Sequence, residues 1–515
     1  MAYIYQPGGQ TSGTTNSNYP NLTGLLRPQF QEAYQSSVAA SCPAYKMLKT
    51  DVATTPAGGN SFNWNIVTQI SGAAGWGGIG TSGATYGVTP APMGRMIGAA
   101  TATASYKYLM ASSPLTMQNV ALFNNNPDSR IDLLEMLDSD LLTTIGKNYE
   151  RALFGNYTTI TSNNATVTGI DNTGVLAKIT NPGGGGAVGP VAAGASISIT
   201  IALGDGHPRQ FFRGMQLVWG NYAALTGSGD LSAQQGTLSS YSIASNGTVT
   251  LTVLPNSSAA QLTVPNSAVA ADPIYLACGD GAQATTFSWG VNGANPFNSV
   301  SNEIFGFRAM GQATGSLFGV DPSTRGYGSW VGVVDSGGLS GTATRAWSHQ
   351  DFQGFCENYA QLNAVAGVGQ AFPGEDGAEL GQCKTLFMSD YFITKFKATI
   401  PGVNMLQPLD PEVGLSPRSI KYDLNGTIME IVISPRHPVD ELTLVDPMAV
   451  HRAETVPLGP VEPFGGPFTP NAPGAPSSVS RSFMATEAVI TDRRCGIGRY
   501  TNLAVDNWAV ASLAD

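Results

Sequence analysis

Leu133 to Asn156, LLEMLDSDLLTTIGKNYERALFGN, is the one long uninterrupted helical stretch in a 515-residue chain that carries 62 glycines and 32 prolines. Leu134, Leu137, Leu141, Ile145, Tyr149 and Ala152 step by three or four, which gives one continuous apolar stripe. Ser129 and Asp132 form a capping box just after Pro127 and Asp128. Asp132, Glu135, Asp138 and Asp140 crowd the N-terminal half while Lys147 and Arg151 lie late, as the helix dipole favours. Gly155 and Asn156 end the stretch. From Ser129 to Phe154 the rod would be about 39 Å long at 1.5 Å per residue, the width of a small domain, with Gly146 its one weak point. In a chain that otherwise keeps breaking itself, that rod is the feature any fold must accommodate.

The segment before it divides in two. Met1 to about Gln35 is polar and too poor in large apolar groups to build a core, so it reads as an arm that is loose or ordered by lying across something else. In SFNWNIVTQI, from Ser61, Phe62, Trp64 and Ile66 alternate with Asn63, Asn65 and Val67, a strand with one apolar face. Met96 to Met110, MIGAATATASYKYLM, is small and strand-tolerant, with Tyr106 and Tyr108 on one face. Together these predict a long hairpin whose glycine-rich tip projects and rests on a neighbour.

From about Tyr157 to Gly341 the texture is β, with SISITI from Ser196, FFRGMQLVW from Phe211 and TVTLTVL from Thr248. Asn246-Gly247 between alternating segments is a hairpin signal, and NPGGGGAVGPVAAGA is a connector. Tyr157 to about Cys278 is expected to be an inserted β-barrel or sandwich. The last third is mixed α/β. Ser348 and Asp351 make a second capping box ahead of Phe352, Phe355, Cys356, Tyr359 and Leu362. TLFM, from Thr385, is a buried strand running into a helix that begins at Ser389 and carries Phe392, Ile393 and Phe396. TIMEIVI, LTLV and AVHRA follow as strands, and FMATEAVITD returns after a Pro/Gly-rich excursion.

Charged residues are 12% of the chain, about half the usual share, and their place is taken by Gly, Ser, Thr, Asn and Ala. Such a surface suits either burial against other protein or an extracellular β-rich skin. A net charge of −10 argues against binding nucleic acid through a broad basic face. Cys42, Cys278, Cys356, Cys383 and Cys495 show no metal spacing with the histidines, which predicts packed, reduced thiols. The N-terminus lacks the basic and apolar regions of a signal peptide.

Signatures of chemistry are weak. GWGGIG, Gly75 to Gly80, satisfies a dinucleotide-loop pattern, but the following residues reach Pro90 and Pro92 without a helix to carry the pyrophosphate. Gly146-Lys147 is mid-helix, which excludes a phosphate-cradling loop. His349 and His437 read as helix-start and turn residues. Asp205, Asp230, Asp280 and Asp321 lie in glycine-rich turns, where Asp serves its own backbone more often than calcium. No catalytic, cofactor-binding or metal-binding residue is assigned.

Taken in order, polar arm, projecting hairpin, long helix ending YERALFGN, β region and α/β unit, the chain resembles the major capsid proteins of tailed bacteriophages with the Hong Kong 97-like fold. LFGVDPSTRG with nearby Trp330, TRAWSHQDF, TLFMSDYFITKFKA and GRYTNLAV are the local matches. The resemblance implies an α+β fold: an N-terminal arm over residues 1–50, an E-loop hairpin over 51–112 and a P-domain with the spine helix over 113–156. An inserted β-rich domain and return to the P-domain would occupy 157–341, an A-domain 342–490 and a C-terminal segment 491–515. It implies a non-enzymatic subunit that assembles in the host cytoplasm into the icosahedral shell of a virion, enclosing the genome. Its implied partners are copies of itself in hexamers and pentamers, a separate scaffolding protein, a portal, a decoration protein, and packaged DNA held weakly and without sequence preference. No membrane contact and no cofactor are implied. Lys107, near the hairpin, is a conceivable donor for the lysine–asparagine crosslink that some members form, with no motif in support. The alternatives are a β-rich phage adhesin or tail structural protein and a secreted glycan hydrolase; the latter needs a pair of carboxylates in a cleft.

Overall fold

The computed structural model describes residues 43–52, 61–69, 98–116, 133–155, 160–162, 165–167, 174–180, 196–201, 208–220, 234–255, 275–278, 303–324, 327–328, 330–337, 344–365, 385–399, 405–406, 419–424, 427–460, 469–470 and 478–511. The polar arm up to Gln35, the hairpin tip with Gly75–Gly80, the capping box of Ser129 and Asp132, the connector at 181–195, Asp205, Asp230, Asp280, Cys42 and Cys383 lie outside the described residues, as do the side chains of Leu134 and Leu362.

The helices are α1 (Pro43–Met47), α2 (Leu133–Leu153), α3 (Phe307–Met310), α4 (His349–Val365), α5 (Asp390–Thr399) and α6 (Trp508–Ala511). The first twelve strands are β1 (Lys49–Val52), β2 (Ser61–Gln69), β3 (Gly98–Ser105), β4 (Lys107–Thr116), β5 (Ile160–Ser162), β6 (Ala165–Val167), β7 (Val175–Lys178), β8 (Ile197–Ile201), β9 (Gln216–Gly220), β10 (Gln234–Ile243), β11 (Val249–Pro255) and β12 (Tyr275–Cys278). They are followed by β13 (Val333–Asp335), β14 (Thr385–Met388), β15 (Met405–Leu406), β16 (Ser419–Leu424), β17 (Thr427–Ile433), β18 (Leu442–Val445), β19 (Val450–Pro460), β20 (Thr469–Pro470), β21 (Ser478–Thr491) and β22 (Ile497–Tyr500).

Three larger sheets organise the described residues. In the first, the 14-residue β21 pairs antiparallel with β4 along one edge and with β19 along the other, while β1 adds to β19 in parallel. Leu109 and Ala111 alternate with exposed Tyr108 and Met110, so β4 has an inner and an outer face. The inner face, with Phe483, receives Leu141 and Ile145 of α2.

The second sheet has seven strands in the order β13-β22-β18-β14-β17-β16-β15 and is mixed. Its central strands are buried on both faces, which accounts for their unbroken apolar runs. Leu386 and Met388 face the cluster built by α4 and α5, with Phe352, Phe355, Phe392 and Phe396. Phe387 between them faces the other way, onto Phe154 and Phe307. The helix starts are set as their sequences require. Ser348 Oγ accepts the Asp351 N–H at 3.3 Å, and Ser389 Oγ accepts the Phe392 N–H at 3.2 Å.

The third sheet runs β7-β12-β9-β10-β11-β8 around its own core of Phe211, Met215, Trp219, Leu251 and Leu276. Its two outer strands meet. Ile179 bridges Ile201, and the Thr180 N–H donates to Thr200 O at 2.8 Å, so the sheet closes on itself at one end. The Asn246-Gly247 turn links β10 to β11, with Gly247 at φ 89° and the Thr248 N–H donating to Asn246 Oδ1 at 3.0 Å.

Three expected boundaries differ from the structure. The hairpin β2–β3 ends at Ser105, and after Tyr106 the chain enters the first sheet as β4, because β21 offers ten residues of register from Lys107 to Thr116. β19 and β21, assigned with the α/β unit at 342–490, join β1 and β4 under α2. β22, assigned to a separate C-terminal segment, lies inside the seven-stranded sheet between β13 and β18.

Candidate functional site: the helix that joins three sheets

Each turn of α2 meets a different part of the molecule. Near its start Asp138 takes a two-pronged bond from Arg481 of β21, with Nε to Oδ1 at 2.7 Å and a terminal nitrogen to Oδ2 at 2.9 Å. Leu141 and Ile145 then seat on the first sheet. One turn on, Lys147 lies over the Phe212 ring of the barrel at 5.7 Å, and the Cys278 thiol donates to Asn148 Oδ1 at 3.7 Å. Tyr149 meets Tyr45 of α1 edge-on at 4.6 Å. Phe154, just past the end, packs tilted or edge-on among Phe307, Phe387 and His437 against the second sheet.

The adjacent pair Glu150 and Arg151 is buried, at 0% and 2% exposure. Glu150 Oε1 accepts the Ser434 hydroxyl at 2.6 Å and the Ala44 N–H at 3.4 Å, tying α1 and the turn after β17 to the helix. Burial pushes its pKa up to about 7, against the Ser434 hydroxyl, the Ala44 and Tyr45 amides and the Arg436 charge, all of which favour the carboxylate. Arg151 pairs with Glu303, where the chain returns from the barrel. Glu487, buried beside Arg452, Glu454 and Tyr149, is likewise pushed up to about 7, chiefly by burial.

A second buried charge group lies behind β22. Glu441 accepts both prongs of Arg499, at 2.7 and 2.9 Å, and forms an ion pair with Arg308, whose Nε lies 3.0 Å from Oε2. Burial alone would raise its pKa, yet the two guanidinium groups hold it well below the usual carboxylate range. His437 lies alongside, its ring nitrogens 2.8 Å from Pro438 O and 2.9 Å from Thr443 Oγ1, and burial lowers its pKa to about 4. Arg436 donates to the carbonyls of Phe211 and Arg209, and Arg209 pairs with Asp390 of α5, so the barrel is fastened to the second sheet as well as to α2.

His349 sits at the start of α4 and His437 in the turn after β17, the roles their sequence context gives them. Asp321 Oδ1 accepts the Ser323 N–H at 2.9 Å, serving its own turn. Cys278, Cys356 and Cys495 are buried thiols outside any disulfide. Among the described residues no cluster of three His, Cys, Asp or Glu side chains could hold a metal, and no helix is long and apolar enough to cross a membrane. Sequence reasoning read Asp138 and Arg151 as dipole partners of the helix. Their ion pairs to Arg481 and Glu303 are tertiary and span 343 and 152 residues.

The surface feature that stands out is the outer face of the first sheet. Tyr108 is opposite Thr486, which is opposite Val456, and Met110 is two residues along β4. Tyr108 is 68% exposed, Met110 40% and Val456 41%. Tyr108, Met110 and Val456 are exposed apolar side chains on the face turned away from α2, with the buried Thr486 between Tyr108 and Val456.

No family model matches the chain, and no curated protein matches it. Among solved structures it is similar to a cyanophage A-1(L) capsid asymmetric unit at 10% identity and a TM-score of 0.47, covering 92% of this chain and 96% of that one. It is similar to the capsid of a native GTA particle at 9% identity and a TM-score of 0.38, covering 93% and 95% of the two chains. A protein of Microbacterium phage Oxtober96 is similar at 10% identity and a TM-score of 0.39, covering 93% and 97%. Likenesses this distant do not assign the chain to a family.

Proposed function

We propose that the chain is a non-enzymatic structural subunit that assembles with copies of itself into the closed icosahedral shell of a tailed phage, around the genome. The observation that carries this reading is the sheet under α2. One face is filled by the helix, and the other presents Tyr108, Met110 and Val456 to solvent beside a two-stranded hairpin. A chain with 12% charged residues has little else to keep such a face soluble, and association buries it at low desolvation cost. The order of elements along the chain agrees: hairpin, long helix, then a barrel read as an insertion between the helix and the α/β unit. Closed symmetry would multiply contacts that are individually weak. A scaffolding protein, a portal, a decoration protein and weakly held DNA are the partners such a subunit would meet.

The test is electron microscopy of the chain expressed with the scaffolding protein of its own phage, alongside the double variant Tyr108→Glu, Met110→Glu. The reading expects closed particles from the parent. From the variant it expects a folded subunit with unchanged circular dichroism and no particles. Fibres or trimers from the parent would favour the tail or adhesin reading. Normal particles from the variant would remove the sheet face from the assembly contacts.

A further inference from the structure

The described residues of segment 311–330, which are 311–324, 327–328 and 330, receive the hairpin β2–β3. The Thr103 N–H of β3 donates to Phe318 O at 2.9 Å, and the Trp64 indole of β2 meets the Phe318 ring edge-on at 5.1 Å. Phe318 holds φ at 55° and Gly319 at 80°, and the turn between them is closed by reciprocal bonds joining Leu317 and Val320 at 3.1 and 3.0 Å. A left-handed phenylalanine is sparsely populated and persists only where its surroundings hold it.

What holds it is a buried guanidinium. Arg494, 0% exposed, donates Nε to Met310 O at 2.9 Å, one terminal nitrogen to Gly315 O at 2.8 Å and Trp330 O at 3.3 Å, and the other to Thr314 O at 3.0 Å. Thr314 and Gly315 lie near the start of the segment and Trp330 at its end, while Met310 immediately precedes it. Trp330 Nε1 in turn donates to Leu317 O at 3.3 Å, one residue from Phe318. Where the segment's ends cross, Gly332 N–H donates to Gln312 O at 2.9 Å, and a Cβ on Gly332 would lie 2.3 Å from the Gly311 backbone. Arg494 stands in the turn that leads into β22 of the second sheet.

We propose that Arg494 is a positioning residue for the hairpin: through segment 311–330, a saddle pinned by its planar fork, it fixes the angle at which β2–β3 leaves the body. A lysine could supply charge but not donors in a fixed plane, so it would not hold both ends of the saddle in one geometry. The saddle is a property of the isolated subunit. Only its consequence for particle shape rests on the shell reading.

Segment-resolved amide hydrogen exchange on the purified full chain tests it, with Arg494→Lys, Phe318→Ala and the double variant. Each single change is expected to speed exchange in residues 98–105 and 311–330 by about tenfold while β14, β17 and β18 keep their protection. The double variant is expected to fall short of the product of the two, because both changes break one link. A uniform rise across all sheets in Arg494→Lys would reduce the residue to a general stabiliser and overturn the proposal. So would unchanged exchange at 98–105 in Phe318→Ala. Should Arg494→Lys fail to fold, Trp330→Phe deletes the bond to Leu317 O with Arg494 in place and is read the same way. Particles of altered diameter from the loosened variants would tie the saddle to shell curvature. Unaltered particles with a loosened hairpin would break that tie and leave the saddle standing.

Discussion

Arg151 and Glu303, 152 residues apart in sequence, meet as a buried ion pair at the neck where the chain leaves α2 and later returns from the barrel. Burial pushes the Glu303 pKa up and the Arg151 charge pulls it back, so the Glu303 carboxylate depends on Arg151 for its charge. Arg151→Leu alone is therefore expected to cost about 3–5 kcal/mol by leaving Glu303 uncompensated. Arg151→Leu combined with Glu303→Leu should recover most of that loss. Urea unfolding of the parent, Arg151→Leu and the double variant checks it, and a double variant as unstable as the single would show that the pair itself, not the stranded charge, sets the cost.

Leu141 is 4% exposed between Ile145 and Phe483. Leu141→Ala should cost about 2–4 kcal/mol through the cavity it leaves, and Leu141→Asp more, since it buries an unpaired charge. Unchanged soluble yield and melting in Leu141→Asp would mean that α2 does not seat on the first sheet.

Glu150 and Glu487 should make the subunit more stable in mild acid than at pH 8. Their folded pKa values, about 7, stand above the ordinary 4.5, so the stabilising contribution is complete below pH 4.5 and is lost as pH rises through 7. Each carboxyl accounts for roughly 3 kcal/mol across that window. His437 opposes them. Its pKa is lowered to about 4, so its contribution is present above 6.5 and lost as pH falls through 4. The comparison that isolates the effect is Glu150→Gln against the parent, which cancels His437. The variant should be more stable at pH 8 and equal at pH 4.5, measured by denaturant midpoints. Parallel pH profiles would refute it.

Deleting Ala73 to Ala84, between β2 and β3, should leave the subunit folded with an unchanged melting temperature and abolish closed particles. Normal particles from the deletion would take the hairpin tip out of the assembly contacts.

The apolar periodicities of the sequence located α2, α4, α5 and the strands β14, β17 and β18 of the second sheet, because a stripe or an unbroken run reports local burial directly. Ser348 and Ser389 marked helix starts for the same reason: a cap is a contact between near neighbours. Pairing across long separations was not legible. FMATEAVITD reads equally well as a strand of either sheet, and only the ten-residue register with β4 places it under α2. The buried charges were hidden more thoroughly. Glu150, Arg151 and Arg494 look like any surface charge until partners 150 or more residues away are brought beside them. A Glu-Arg pair within YERALF, flanked on both sides by core residues, was the one available hint.

The meeting of Ile179 with Ile201 has a consequence for how the barrel meets other molecules. A free strand edge is a template that accepts almost any extended polypeptide, and here the two strands that would supply it are joined at one end. Among the described residues the ladder is therefore closed where Ile179 and Thr180 meet Thr200 and Ile201, and at that end an extended polypeptide cannot simply lengthen it.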